Sequence, residues 1–310
     1  MFSFSKHTPE KLRDWLAKEK FMDTVFTRLH LFKAGKYLFY EPEFVTWVKY
    51  ADDLSIKNPK NRLAAISTLT AQYGDDTLYQ MLELATYSSS MKDIAVKLQS
   101  QQRQYWISTR KDPDEFFHLL GLDAARDRLF NFHNFSFWTK HVDNINAKFP
   151  EEPVSMLTTL HKYYTDKDFF KMIEAAKKNE RTEPIATRLE AEQFQSWLQS
   201  KTSPDKVMIN LGLGHATHTL LAAPLFDIWI RYINAYSAKF PDKMKMMEEH
   251  TQAFGDVGVT MILPAMKSTE MTASLAIDLA SVQQKMWLTR GKSTDDVFKL
   301  HKLDKTENIL

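Results

Sequence analysis

The stretch TVFTRLHLFKAGKYLFYEPEFVTWVKYADD, residues 24–53, returns as EFFHLLGLDAARDRLFNFHNFSFWTKHVDN at 115–144 and as KVMINLGLGHATHTLLAAPLFDIWIRYINA at 206–235. The copies differ at most polar positions and agree at large apolar ones. Leu29, Leu120 and Leu211 share a phase, as do Leu31, Leu122 and Leu213, then Leu38, Leu129 and Leu220. Phe44, Phe135 and Phe226 precede Trp47, Trp138 and Trp229, and Pro59, Pro150 and Pro241 follow. A further beginning, DDVFKLHKLD, stands at 295–304. Agreement confined to core-type residues is what a stacked repeat demands, because each copy buries the same face while its surface drifts.

The period extends beyond this stretch. Trp15, Trp106, Trp197 and Trp287 are spaced 91, 91 and 90, so all 7 tryptophans fall into two phases. Tyr73, Tyr164 and Phe254 keep the beat, as do Ala95, Ala186 and Ala276, then Leu98, Leu189 and Leu279. The period drops once, between Pro241 and Phe254, as a one-residue deletion in a connection would make it. Phe44, Trp47 and Ala51 have the i, i+3, i+7 spacing of an amphipathic helix, repeated by Phe135, Trp138 and Val142 and by Phe226, Trp229 and Ile233. Ser203-Pro204-Asp205 and Thr294-Asp295-Asp296 read as hydroxyl N-caps opening a helix. The reading is all-α, four or five helices per copy and no strand. It gives an elongated tandem array of helical-bundle modules at 24–112, 113–203 and 204–294. Residues 1–23 would be the closing helix of a preceding module or a cap, and 295–310 the opening helix of a further one.

Composition excludes several function classes. With 41 Lys+Arg against 39 Asp+Glu the net charge is +2, without the basic excess of a nucleic-acid binder or a polybasic membrane anchor. Zero cysteines remove disulfide scaffolds, Cys-based zinc sites and thiolate catalysis. Only 8 glycines leave no glycine-rich nucleotide loop. Leu211-Gly212-Leu213-Gly214, the nearest approach, lacks a preceding strand, and Gly212 merely repeats Gly121. No apolar run reaches the ~18 residues of a membrane span, and the first residues lack a signal-peptide pattern, so a soluble chain is expected, any targeting segment having been removed from a precursor.

Chemistry-bearing residues are few. His215 and His218 could share a helix face, but their counterparts are Ala124 with Asp127 and Lys33 with Lys36, and two ligands without a third make no metal site. Asp52-Asp53, Asp75-Asp76 and Asp295-Asp296 are sequence neighbours that point to different faces, not two carboxyls converging on one cleft. Tyr79 with Leu82 and Phe117 with Leu120 have the aromatic-x-x-aliphatic form of autophagy-adaptor ligands, but such ligands bind extended and these lie on expected helices. Lys243-Met244-Lys245-Met246-Met247 is a mixed stretch whose Met residues read as gap-filling core or an adaptable surface. Lys177–Arg181 reads as a solvated helix end, and Asn134-Phe135-Ser136 as core rather than a glycosylation site. No catalytic, cofactor-binding or metal-binding residue is expected.

The repeated stretches and the terminal DDVFKLHKLD resemble the tandem Leu-Trp-Tyr (LWY) units of Phytophthora RXLR effectors, over essentially the whole chain. Carried over by position, the leucine motif falls on Leu29, Leu120 and Leu211, the tryptophan on Trp47, Trp138 and Trp229, and the tyrosine on Tyr73, Tyr164 and Phe254. Trp106, Trp197 and Trp287 complete the expected core. The resemblance implies linked modules in which the opening helix docks on the end of the preceding module, and a monomeric virulence protein secreted by the pathogen into the host cytoplasm or nucleus. It implies host-protein partners, among them the scaffold subunit of protein phosphatase 2A, which some members grip with two adjacent modules in place of a regulatory subunit. Another host target, such as autophagy or trafficking machinery, and a housekeeping α-solenoid adaptor are the other readings. Phe254 lacks the hydroxyl, Gly258 and Pro264 are expected to interrupt the helix after it, His301 replaces the leucine, and no Arg-x-Leu-Arg occurs.

Overall fold

The helices recur in sets of five, in phase with the sequence repeat. A computed structural model of the chain describes residues 9–214 and 220–300, and among these all regular structure is helical. The opening helices are Met22–Arg28, Pro113–Leu119 and Pro204–Asn210. After a run of 3₁₀ turns come the tryptophan helices Pro42–Lys57, His133–Lys148 and Phe226–Lys239, which all stop at an in-phase lysine two residues before the in-phase proline, where the pre-proline restriction ends them. A third and fourth helix follow, Ala64–Tyr73 and Asp75–Ala85 in the first repeat, Met156–Tyr163 and Asp166–Ala176 in the second. The closing helices are Lys92–Ser108, Glu183–Gln199 and Ala273–Thr289. Pro9–Ala17 precedes the first repeat and Thr294–Leu300 follows the third.

In the third repeat the middle pair is one span, Lys243–Lys267, broken at Gly255 with φ 68° and ψ 170°. Gly74 holds the same place and conformation in the first repeat, φ 76° and ψ 164°, a region open essentially to glycine alone. The second repeat has Thr165 there, which turns the chain by capping: its hydroxyl accepts from the Asp168 N–H at 3.2 Å. The expected interruption at Gly258 and Pro264 is therefore corrected, since the helix runs through both. Gly258 is needed for packing, because a Cβ there would lie 2.6 Å from that of Phe254, and Pro264 faces solvent near the helix end. The cap before Thr294–Leu300 is likewise Ser293, not Thr294: Ser293 N–H donates to Asp296, and Asp296 N–H returns the bond to the Ser293 hydroxyl at 3.1 Å.

The backbone repeats even where the sequence does not. Glu19, Arg110 and Lys201, each just past a closing helix, are left-handed with φ of 45°, 55° and 53°, and Gly291 continues the series at 68°. Such residues end a helix by letting the chain fold back over its last carbonyls.

The chain divides into two compact units, residues 1–120 with 137–154, and 121–136 with 155–310. All three cuts fall inside the second repeat, so the first unit contains the whole first repeat together with the second opening helix and most of the second tryptophan helix. Its core is built around Trp47, edge-on to Phe26 at 5.2 Å and stacked on Phe44 at 5.9 Å. In the second unit Trp229 is stacked on Phe226 at 5.7 Å.

Candidate functional site

In a chain of repeats, the parts that bear on function are the joints between consecutive copies and the side chains that differ from copy to copy. Each joint is tied by two hydrogen bonds in register. The Trp47 indole N–H donates to the carbonyl of Met22 at 3.1 Å, Trp138 to Pro113 at 2.8 Å, and Trp229 to Pro204 at 2.8 Å. One turn further along the tryptophan helix, Tyr50 donates to Lys20 O at 2.8 Å, His141 Nε2 lies 3.3 Å from Lys111 O, and Tyr232 donates to Thr202 O at 2.6 Å. Both acceptors of each pair belong to the segment from the end of one closing helix to the start of the next opening helix. The tryptophan helix thus holds the chain where it passes from copy to copy.

Leu29, Leu120 and Leu211 are buried at the C-terminal ends of the opening helices, and Trp47, Trp138 and Trp229 are wholly buried. Trp106, Trp197 and Trp287, on the closing helices, are buried too, as is Trp15. Trp106 donates to Asp75 at 2.6 Å and Trp287 to Asp256 at 2.6 Å, and Lys111 and Lys292 reach the same two carboxylates at 2.9 and 3.0 Å. Burial opposes the negative charge of Asp256, yet Trp287 and Lys292 outweigh it and hold the carboxyl below the usual range. Trp197 instead stacks on Phe170 at 5.3 Å and meets Tyr232 edge-on at 5.2 Å.

Tyr164 is buried, while Tyr73 and Phe254 are half-buried. Neither tyrosine hydroxyl has a hydrogen-bond partner. Burial, reinforced by Asp123 and Asp127, pushes Tyr164 up to about 12. The ring fills the position and the hydroxyl adds nothing there, which explains why Phe254 can replace it.

The other sequence candidates disperse. Asp52 pairs with Lys97, Asp75 with Lys111 and the Trp106 indole, and Asp296 caps a helix, so the adjacent carboxylates do not converge. Tyr79, Leu82, Phe117 and Leu120 all sit on helices or their ends, with Leu82, Phe117 and Leu120 buried. Among the described residues no group of three His, Asp or Glu could hold a metal, and no helix is long and apolar enough to cross a membrane. His215, His218 and His301 lie outside the described residues.

Three features were missed from the sequence. Gln102, Gln193 and Gln283 are in phase and buried, a signal present in the repeat. Tyr50 and Tyr232 share a phase with His141 in the same way. The third has no repeat signal: Glu190, buried on the second closing helix, is held by Lys177 and by Arg231 of the third tryptophan helix, with Arg231 also donating to Asp227 at 2.9 Å. Lys177, read as a solvated helix end, is therefore corrected to a member of a partly buried ion network. Gln99 and Lys140 take the places of Glu190 and Arg231 one repeat earlier, so this clasp belongs to the joint between the second and third copies alone.

Comparison with known proteins agrees with this architecture. A family model described as "Effector PexRD54, WY-domain" matches residues 192–233, the stretch that spans the third joint from Trp197 to Trp229. An RxLR effector protein of Phytophthora infestans (strain T30-4) is 34% identical over 300 residues, covering 94% of this chain and 44% of the relative. RxLR effector protein PSR2 of Phytophthora sojae is 34% identical over 302 residues, covering 97% of this chain and 45% of the relative. The solved structure of PcRxLR12 is 36% identical, with a TM-score of 0.52 over 94% of this chain and 70% of that one. The chain spans less than half the length of the two curated relatives.

Proposed function

Because this chain belongs to the Phytophthora RxLR effector family, we propose that it works inside the host plant cell as a non-enzymatic scaffold. In this reading it recruits the core of protein phosphatase 2A through the scaffold subunit, in place of a regulatory subunit, and so redirects dephosphorylation to suppress immunity. Its working parts are the modules at 24–112, 113–203 and 204–294, acting as a monomer in host cytoplasm or nucleus.

The observation that carries the reading is the Glu190 clasp. A surface composed of two modules is useful to a partner only if the modules hold their mutual orientation, since ordering them on binding would subtract from affinity. Glu190, Lys177 and Arg231 tie the closing helix of the second repeat to the tryptophan helix of the third, beside the backbone bonds of Trp229 and Tyr232. That adjacent pair is suited to grip one partner, and the first repeat is left for another.

The test is affinity capture from plant extract with the 310-residue chain, followed by mass spectrometry. The reading expects the phosphatase scaffold and catalytic subunits without a regulatory subunit. Capture of other host proteins with no phosphatase subunit would overturn the phosphatase reading and leave the scaffold's target to be named afresh.

A further inference from the structure

In each repeat the third helix packs against the closing helix, and each interior there carries a glutamine. In the second repeat the two helices are bonded directly: His161 Nε2 lies 2.6 Å from Gln193 Oε1, an imidazole N–H donating to a side-chain carbonyl. Gln102 and Gln283 are in phase with Gln193 and buried as it is. The residue opposite changes, because where the second repeat has His161 the first has Thr70 and the third has Thr251. Threonine ends short of where an imidazole ring reaches, and the bond is lost. Gln102 Nε2 and Gln283 Nε2 are buried without a hydrogen-bond partner, and Thr70 Oγ1 is too. Thr251 donates its hydroxyl proton to the Met247 carbonyl at 2.8 Å, which leaves its oxygen able to accept.

A hydroxyl both donates and accepts, so Thr70 and Gln102 would be bonded if they touched. That both are unsatisfied, at the place where His161 and Gln193 meet, puts a gap of about the missing ring between them. The gap lies in the interior: Leu69 beside Thr70 and Leu98 one turn before Gln102 are wholly buried. Buried amide and hydroxyl groups are paired in folded proteins, with protein or with ordered water. Gln101 Oε1, on the same helix as Gln102, is a further buried acceptor without a partner. The first repeat thus collects an amide donor, a hydroxyl and a carbonyl oxygen with nothing to bond them.

We propose that the first and third repeats each hold one buried water between the threonine and the glutamine, where the second repeat places the His161 ring. The water accepts from the glutamine Nε2–H and donates to the threonine oxygen. In the first repeat Gln101 Oε1 takes its second proton. A buried water requires two to four polar partners and room for about one water-sized sphere, and the ring that stands there in the second repeat shows that the packing leaves such room. An ion of either sign is excluded by the donor set, since an amide N–H repels a cation and the threonine and glutamine oxygens repel an anion. The water accounts for a buried glutamine being kept in all three repeats while the residue opposite it changes. It does so whatever partner the array takes.

The test is water magnetic relaxation dispersion on the full chain, which counts waters buried for longer than the protein's tumbling time, joined to magnetisation transfer from water to the side-chain amide protons of Gln102 and Gln283. Transfer is expected at both amides. Thr70→His and Thr251→His install the residue of the second repeat, so each should remove one long-lived water, silence the transfer at its own glutamine and melt no lower than the parent. His161→Thr is the reverse exchange, and it should add one water and give Gln193 the transfer that its direct bond excludes. Absence of transfer at both amides in the parent overturns the proposal, as does a dispersion amplitude that is the same in the parent and in both histidine variants. If a histidine variant does not fold, the parent's amide transfer and the water gained or not gained in His161→Thr decide the question without it.

Discussion

Trp138→Ala probes the joint most directly. Trp138 is wholly buried, meets Phe117 edge-on at 5.0 Å, and donates its indole N–H to Pro113 O at 2.8 Å. Removing a buried tryptophan down to Cβ costs about 3–5 kcal/mol through lost transfer energy and the residual cavity. The Pro113 carbonyl then loses that donor inside the core, which adds roughly 1–3 kcal/mol unless water enters the cavity. A loss near 4 kcal/mol raises the open population of the second repeat about a thousandfold. In an array the effect is greatest in the copy hit and its neighbours, so a single melting temperature would blur it. Hydrogen exchange resolved by segment is the assay. Protection should fall most in Pro113–Leu119 and His133–Lys148, and least in Ala273–Thr289 of the third repeat. Trp138→Phe, which keeps most of the packing and loses the hydrogen bond, should fall between parent and alanine. Unchanged exchange over residues 113–148 in the alanine variant would refute the role of Trp138 in holding the joint.

Three further outcomes are expected. Acidification should destabilise the chain: burial holds His141 and His250 below the usual histidine value of 6.5, so their contribution is complete above that pH and is lost as the pH falls toward their folded values. His141→Tyr, which installs the side chain of Tyr50 and Tyr232, should flatten part of that loss, read as urea midpoint against pH; an unaltered slope would exclude His141 as a contributor. Glu190→Gln leaves Lys177 and Arg231 with only Glu174 as a shared carboxylate, at 3.5 and 3.6 Å, and should cost up to about 3 kcal/mol, lessened by that partner and because both cations are partly solvated, and a thermal melt equal to the parent's would show that the clasp is idle. Tyr164→Phe should stay within about 0.5 kcal/mol of the parent in denaturant titration, because its hydroxyl is buried without a partner, and a larger loss would reveal a bond absent from this structure.

The all-α repeat was legible because its core is made of side chains with few substitutes. A wholly buried tryptophan such as Trp47 or Trp229 cannot drift without a cavity, so its spacing survives while polar neighbours change. Helix ends followed where an in-phase proline fixed them, whereas of the two expected hydroxyl caps Ser203 makes no side-chain cap bond and Thr294 gives way to Ser293. The break in the third repeat was misplaced because Gly258 and Pro264 look like stronger breakers than Gly255. Breaking depends on the φ and ψ a position must adopt, and only Gly255 shares its place with Gly74. The Glu190 clasp was not legible: its members are 13 and 41 residues apart on three helices, their in-phase counterparts differ, and only folding brings them together.

The joints also explain how such an array can change its surface without losing its form. Trp47, Trp138 and Trp229, and with them Tyr50, His141 and Tyr232, all bond to main-chain carbonyls, at Met22, Pro113 and Pro204, and at Lys20, Lys111 and Thr202. A carbonyl is present whatever the side chain, so the acceptor residues can vary from methionine to proline and from lysine to threonine while the bond stays. A joint built on side-chain pairs would have to change both partners at once. The backbone-accepted bonds therefore leave Glu19, Arg110 and Lys201, which occupy one left-handed position in the first, second and third joints, able to change charge while the turn stays the same. Selection on such a position acts on what the surface meets, and the change from Glu19 to Arg110 to Lys201 is the kind of difference through which copies of one module come to hold different partners.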